Sequence, residues 1–146
     1  MTGADVVACA RTYLGVRWRH QGASKAVAVD CIGLIGCVAS ECGLSDAWLS
    51  PASDRFKGYG RNPDPAQTYR ACAEFLTPVT PWRSARPGDV LLMRFGKEPQ
   101  HFAIVTATEP EFHIIHSYAM ARRVVEHRLD DKWAARVVCA YRLPGL

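Results

Sequence analysis

The hydrophobic period of this chain changes once, near Arg86, and that change does most to limit the folds open to it. Before it, apolar residues recur three and four apart; after it, they come in short runs of strand length. Val6, Val7, Ala10, Tyr13 and Leu14 make one helical stripe over 2–14, with Gly15 as its stop. Ile32, Leu34, Ile35, Val38 and Ala39 make a broader apolar face on a helix that begins at Cys31 and ends by Gly43. A third helix is expected over 65–76, with Pro65 at its start and Tyr69, Cys72, Phe75 and Leu76 buried. Past the Pro87-Gly88-Asp89 turn, five strands are expected at 90–95, 101–106, 112–117, 123–126 and 136–141, with a short helical piece over 130–135. Helices first and a strand meander afterwards predict an α+β domain, its N-terminal helices packed on an antiparallel β-sheet of about five strands.

The length of 146 residues fits one domain, 1–146, with a single sizeable core. Hydrophobic residues make up 49% and charged residues 22%, with no low-complexity run, so the composition is that of a compact fold and excludes disorder. A net charge of +4 suits an anionic polymer, cell wall or nucleic acid alike, without choosing between them. No apolar run approaches the ~18 residues of a membrane span, so no membrane insertion is expected. Asp5 and Arg11 interrupt the N-terminus before it can read as a signal peptide, which predicts synthesis in the cytoplasm and exit only within a larger assembly. The six cysteines show no repeating spacing, and most read as reduced core residues.

Chemistry concentrates at Asp30-Cys31-Ile32-Gly33-Leu34. Asp30 can cap the helix that follows, which puts Cys31 at its first position. A helix N-terminus favours thiolate over thiol and is expected to draw the Cys31 pKa down toward neutrality. The competing reading is a small thiol buried in a core helix. The preceding stretch, 15–29, reads as a loop carrying Trp18, His20, Gln21 and Gly22: either one wall of a substrate cleft or a connection whose tryptophan plugs the core. The segment 45–64 reads as a long irregular rim anchored by Trp48, Phe56 and Tyr59.

A nucleophilic cysteine needs a base, and the base needs an orienting group. If the strands at 101–106 and 112–117 form a hairpin around Pro110, antiparallel register brings His116 opposite Phe102 to Ile104, within side-chain reach of His101. Cys31 would then attack, His101 take its proton and His116 orient His101. The helix-start amide would supply an oxyanion hole. Alternation sends His113 to the other face, and His127 lies in a polar run and reads as solvated. A zinc site is disfavoured, since neither Cys37 with Cys42 nor His113 with His116 falls in a familiar ligand frame.

Five motifs in order resemble those of the NlpC-type cell-wall cysteine peptidases, a compact branch of the papain-like fold. The family patterns are G-x-P-Y-x-W-G-G, D-C-S-G-L, P-G-D-L, H-V-G-I-Y and I-H-A. They correspond here to Gly15 through Gly22, Asp30-Cys31-Ile32-Gly33-Leu34, Pro87-Gly88-Asp89-Val90, His101-Phe102-Ala103-Ile104-Val105 and Ile115-His116-Ser117. Trp18 stands where the family has tyrosine, His20-Gln21 replace the Trp-Gly of the loop, and Ile32 replaces serine. The resemblance implies hydrolysis of peptidoglycan stem peptides, typically next to γ-linked D-glutamate and diaminopimelate, without a cofactor or metal. It implies Cys31, His101 and His116 as catalytic residues and Trp18, His20 and Asp30 as substrate-binding ones. The Arg19-His20-Gln21 form of the loop resembles the branch of tailed phages and gene transfer particles. That implies tail proteins as partners, no direct contact with nucleic acid, and a place in a phage-like tail that opens the wall during DNA delivery. Two other readings stay open: a structural tail-tip module with weak or no hydrolysis, and acyl transfer or another amidase reaction by the same residues.

Overall fold

The computed structural model describes residues 1–44 and 64–146, so the rim expected at 45–64, with Trp48, Phe56 and Tyr59, lies outside the described residues save for Asp64. Thr2 opens α1 (Gly3–Arg11) with a capping box, its hydroxyl accepting from the Asp5 amide at 3.2 Å and the Asp5 carboxylate from the Thr2 amide at 2.8 Å. The helix stops at Arg11, earlier than the stripe suggests, and Tyr13 reaches the core from the turn that follows.

Asp30 opens α2 (Cys31–Glu41), and Gly43, at φ +67°, closes it by letting the Leu44 amide reach back to the Ala39 carbonyl at 2.9 Å. Every residue from Gly33 to Ala39 is buried. The helix is therefore enclosed nearly all round, not along one face, because α1, the hairpin described below and the sheet all pack on it. Full burial of Leu34 alone contributes about 1.5–3 kcal/mol. Asp64 caps α3 (Pro65–Phe75), which buries Ala71 and Cys72. Tyr69, expected inside, is exposed, while Ala71, Cys72 and the partly buried Phe75 make the face that meets the core.

The stretch expected as a plain loop contains a two-stranded hairpin, β1 (Ala23–Ser24) and β2 (Ala28–Val29). Among the described residues the main sheet has six antiparallel strands, one more than expected: β3 (Thr77–Val79), β4 (Val90–Arg94), β5 (Pro99–Ala107), β6 (His113–Tyr118), β7 (Arg123–Arg128) and β8 (Val137–Arg142). Their order is β3-β8-β4-β5-β6-β7, so the meander β4 to β7 is extended on its other side by β8 and the edge strand β3. β3 escapes a sequence reading because it is three residues long with Pro78 in the middle, a composition tolerated at an edge. A short helix, α4 (Asp131–Ala134), leads into β8.

Alternation along the strands divides the interior in two. Leu92, Phe102, Ile104 and Ile115 meet Val6, Leu34 and Val38 on the helical side. Leu91, Met93, Ala103, Val105 and Ile114 meet Trp82 and Trp133 on the other. The turn before β4 is pinned by Asp89, 1% exposed, whose carboxylate accepts two 2.8 Å hydrogen bonds from the Arg142 guanidinium and a third from the Arg86 amide.

At Gly33 the backbone of α2 meets that of Gly22, and a Cβ there would lie 1.9 Å from the Gly22 carbonyl oxygen. Gly33→Ala must push the helix off the loop and is expected to lower the unfolding free energy in urea by on the order of 3 kcal/mol. Gly96→Ala, whose Cβ meets nothing within 4 Å, should change it by less than about 1 kcal/mol.

Candidate active site

Cys31 is held in place by the residues just before it. The Asp30 side chain is buried; Oδ1 accepts from the Gly33 amide and Oδ2 from the Gln21 amide, both at 2.8 Å. The Asp30 amide donates to the Gly22 carbonyl at 3.0 Å, and the Ser117 hydroxyl at the end of β6 donates to the Val29 carbonyl at 2.6 Å. Loop, hairpin and sheet thus converge on the start of α2.

The thiol lies where the sheet comes apart. The β5–β6 ladder stops at Ile104 and Ile115, whereas β6 stays paired with β7 as far as Tyr118 and Arg123. Cys31 Sγ meets the opened stretch, 4.0 Å from the Gln100 carbonyl and within reach of the Phe102 amide, so it touches main chain on both sides of His101. The Cys31 and Ile32 amides also point at the sulfur. Three backbone donors therefore surround it.

Burial outweighs them. It pushes the Cys31 thiol up to about 12, with the nearby Asp30 carboxylate adding to the rise and the three amides opposing it. The expectation of a thiol drawn down by the helix N-terminus is corrected here, because desolvation of the half-buried sulfur outweighs the dipole of α2.

His101 and His116 are 4% and 0% exposed, and His101 Nε2 lies 2.5 Å from His116 Nδ1. Ile104 pairs with Ile115 and Val105 with Ile114, within one residue of the hairpin register expected from the sequence. His127 departs from expectation. It is partly buried, with Nε2 at 2.8 Å from His116 Nε2 and Nδ1 at 2.8 Å from the Arg128 carbonyl. The missed signal was the length of β7, which runs on to Arg128; pairing Tyr118 with Arg123 places His127 opposite Ile114 and diagonal to His116. His113 stays out of this chain, its Nδ1 on the Glu111 carbonyl at 3.2 Å.

Aromatic rings not foreseen from the sequence enclose the histidines. Phe95 sits 4.7 Å from His101, Tyr118 stacks on His116 at 5.3 Å, and Trp133 meets both His116 and His127 edge-on or tilted at 5.0 Å. Arg136 lies over Trp133 and Phe95. Burial drives His101 down to about 3, helped by Arg136 and then His127, and drives His116 down to about 2, helped by the other two histidines. Both rings are neutral at pH 7. Their nitrogens face one another in a line instead of converging on a point, and among the described residues no three His, Cys, Asp or Glu side chains gather as metal ligands.

Trp18 is partly exposed, bridged through its backbone to Val29 and Arg122, and lines a cavity of about 680 Å³ with Arg17, Arg122 and Arg123. It is not a buried core plug, and the cavity it lines is lined by none of Cys31, His101 and His116. His20 is partly buried in the turn that Asp30 pins.

Neither protein-family models nor curated proteins match this sequence. Solved structures do match. The NlpC/p60 domain of the peptidoglycan hydrolase SagA superposes with TM-score 0.62 at 20% identity, over 98% of this chain and 100% of that domain. An NLP/P60-family lipoprotein-like protein from Staphylococcus aureus gives 0.64 at 18% identity, and an NlpC/P60-family protein from Bacillus cereus gives 0.67 at 17%. This chain is covered to 99% in both cases but spans only 42% and 41% of those two proteins. The chain has the NlpC/p60-type α+β fold.

Two outcomes follow from the buried, neutral site. The rate of Cys31 alkylation by iodoacetamide, followed by mass spectrometry, should keep rising into alkaline pH, with no plateau near neutrality. In the unfolded chain histidine titrates near 6.5, well above the native values, so unfolding takes up protons below that pH. The stabilisation is full above about 6.5 and falls as pH drops toward the native values, by about 1.4 kcal/mol per pH unit for each histidine. Urea unfolding at pH 7 and pH 5 should show this loss, and His116→Gln should flatten it.

Proposed function

We propose that this chain is a cysteine peptidase of the bacterial cell wall that cleaves peptidoglycan stem peptides next to γ-D-glutamyl-diaminopimelate. Cys31 is the nucleophile, His101 the base and His116 the group that orients the base. The observation that carries the reading is the half-buried thiol at the start of α2, seated against the main chain on both sides of His101, whose Nε2 is taken by His116. That leaves His101 Nδ1 to receive the proton. Likeness to a domain described as that of a peptidoglycan hydrolase supports the choice of substrate.

Because thiol and imidazole are both neutral at rest, attack and proton transfer go together. Sγ bonds to the scissile carbonyl carbon while its proton passes to His101 Nδ1, and the charge that develops on oxygen is met by backbone amides at the start of α2. His101 then protonates the departing amine, leaving a thioester. Water attacks the thioester, gives its proton to His101 and releases the acid, and the proton returns to the Cys31 sulfur. Trp18, His20 and Asp30 line or brace the approach to this site. Carriage on a phage-like tail is part of the same proposal and is supported by the Arg19-His20-Gln21 form of the loop.

Cys31→Ala should lower hydrolysis of diaminopimelate-containing muropeptides by at least about a thousandfold, with the melting temperature kept within a few degrees. Undiminished hydrolysis by that variant would overturn the proposal. Binding of wild-type protein to tail proteins with no hydrolysis of any muropeptide would put the structural-module reading in its place.

A further inference from the structure

His127 lies outside every motif that points to the reaction, yet it closes the chain of rings behind the base. The Arg128 carbonyl can only accept, so the 2.8 Å contact puts a proton on His127 Nδ1. With that proton on Nδ1 and none on Nε2, His127 presents a lone pair at Nε2, to which His116 Nε2, 2.8 Å away, donates. Neutral His116 in turn has its lone pair at Nδ1, so His101 Nε2 donates across the 2.5 Å contact. The lone pair of neutral His101 is thereby left at Nδ1. In the opposite tautomer His116 would carry its proton on Nδ1 and force His101 to carry one on Nδ1 as well, where it could not accept the thiol proton. That arrangement sets two lone pairs against each other between His116 and His127, inside a buried site where an unmade hydrogen bond is costly.

We propose that His127 is a positioning residue of this site: anchored on the Arg128 carbonyl, it sets the tautomers of His116 and His101 so that His101 presents a base at Nδ1. The inference rests on the reading of Cys31 as nucleophile and His101 as base. It applies to a ring that contacts His116 and not His101, and so acts on the base through His116. The third group of a cysteine site commonly orients the base by one hydrogen bond; here that group is itself a two-ended donor and acceptor, and it needs a further partner to choose between its two states.

The test uses the whole chain, with the tripeptide L-Ala-γ-D-Glu-diaminopimelate as substrate probe. Long-range proton–nitrogen NMR correlations of 15N-histidine-labelled wild type, at pH 7 and without substrate, should show His101 and His116 both protonated on Nε2 with unprotonated Nδ1. A His101 ring carrying its proton on Nδ1 overturns the proposal, whatever any variant does. His127→Phe, which fills the space without an acceptor, should lower kcat roughly 10- to 100-fold with KM little changed. It should also introduce the Nδ1-protonated form of His101 into the spectrum. His127→Gln, whose Oε1 reaches about as far as Nε2, should recover most of the loss relative to His127→Phe. Wild-type kcat in a folded His127→Phe overturns the proposal, as does an equal loss in the glutamine and phenylalanine variants with unaltered tautomers. Cys31→Ala separates this failure from that of the parent reading: if it retains hydrolysis, the assignment of nucleophile falls, and if it abolishes hydrolysis while His127→Phe does not, only the role of His127 falls.

Discussion

Both oxygens of the Asp30 carboxylate are committed, and the site depends on how. One caps α2 through the Gly33 amide; the other holds the Gln21 amide, and with it the loop that carries Trp18 and His20. A carboxylate buried to this degree is tolerable only when its charge is met by donors, and amides at a helix N-terminus meet it well. A cap that merely started the helix could sit in solvent, as Thr2 does at α1. Asp30 instead ties the first turn of α2 to a loop nine residues earlier in the chain.

Burial sets the protonation states of the site more strongly than any local dipole. The start of α2 and three amides favour a thiolate, and the stack of imidazoles favours sharing a positive charge, yet both buried inner histidines and the half-buried sulfur are held neutral by desolvation. Neutral groups have tautomers where charged ones do not. Which nitrogen carries the proton therefore becomes a structural question, and a main-chain carbonyl on β7 answers it.

Much of this was readable in the sequence. The cap and stop of α2 followed from Asp30 and Gly43, and the contact between His101 and His116 followed from a hairpin register centred on Pro110. What escaped depended on pairing at a distance or on segments too short to show a period. β3 has three residues and a proline, and the β1–β2 hairpin has two-residue strands. His127 sits among charged neighbours, Glu126 and Arg128, whose side chains turn outward to Arg11 and Glu111, so its polar surroundings in sequence conceal an inward-facing ring. The Cys31 pKa departs from the sequence expectation for a related reason: a helix terminus is visible in a sequence, and the desolvation of the sulfur beside it is not.

The opened seam between β5 and β6 connects these points. In an antiparallel strand the carbonyl of one residue and the amide two residues on face the same way, toward a partner strand. On β5 the carbonyl of Gln100 and the amide of Phe102 face a seam where the ladder has ended, and main-chain groups left there without a partner would be costly to bury. The Cys31 sulfur takes the place of that partner. Its weak hydrogen bonds replace a backbone ladder poorly, which accounts for the density of support around it: Ser117 holding the end of β6 to Val29, three aromatic rings around the histidines, and Asp30 at the helix start. A fully zipped β5–β6 pair would make a more regular sheet and would take up the main-chain groups that the Cys31 sulfur now meets. The early end of the ladder that weakens the sheet is thus what brings the Cys31 thiol to the backbone beside His101.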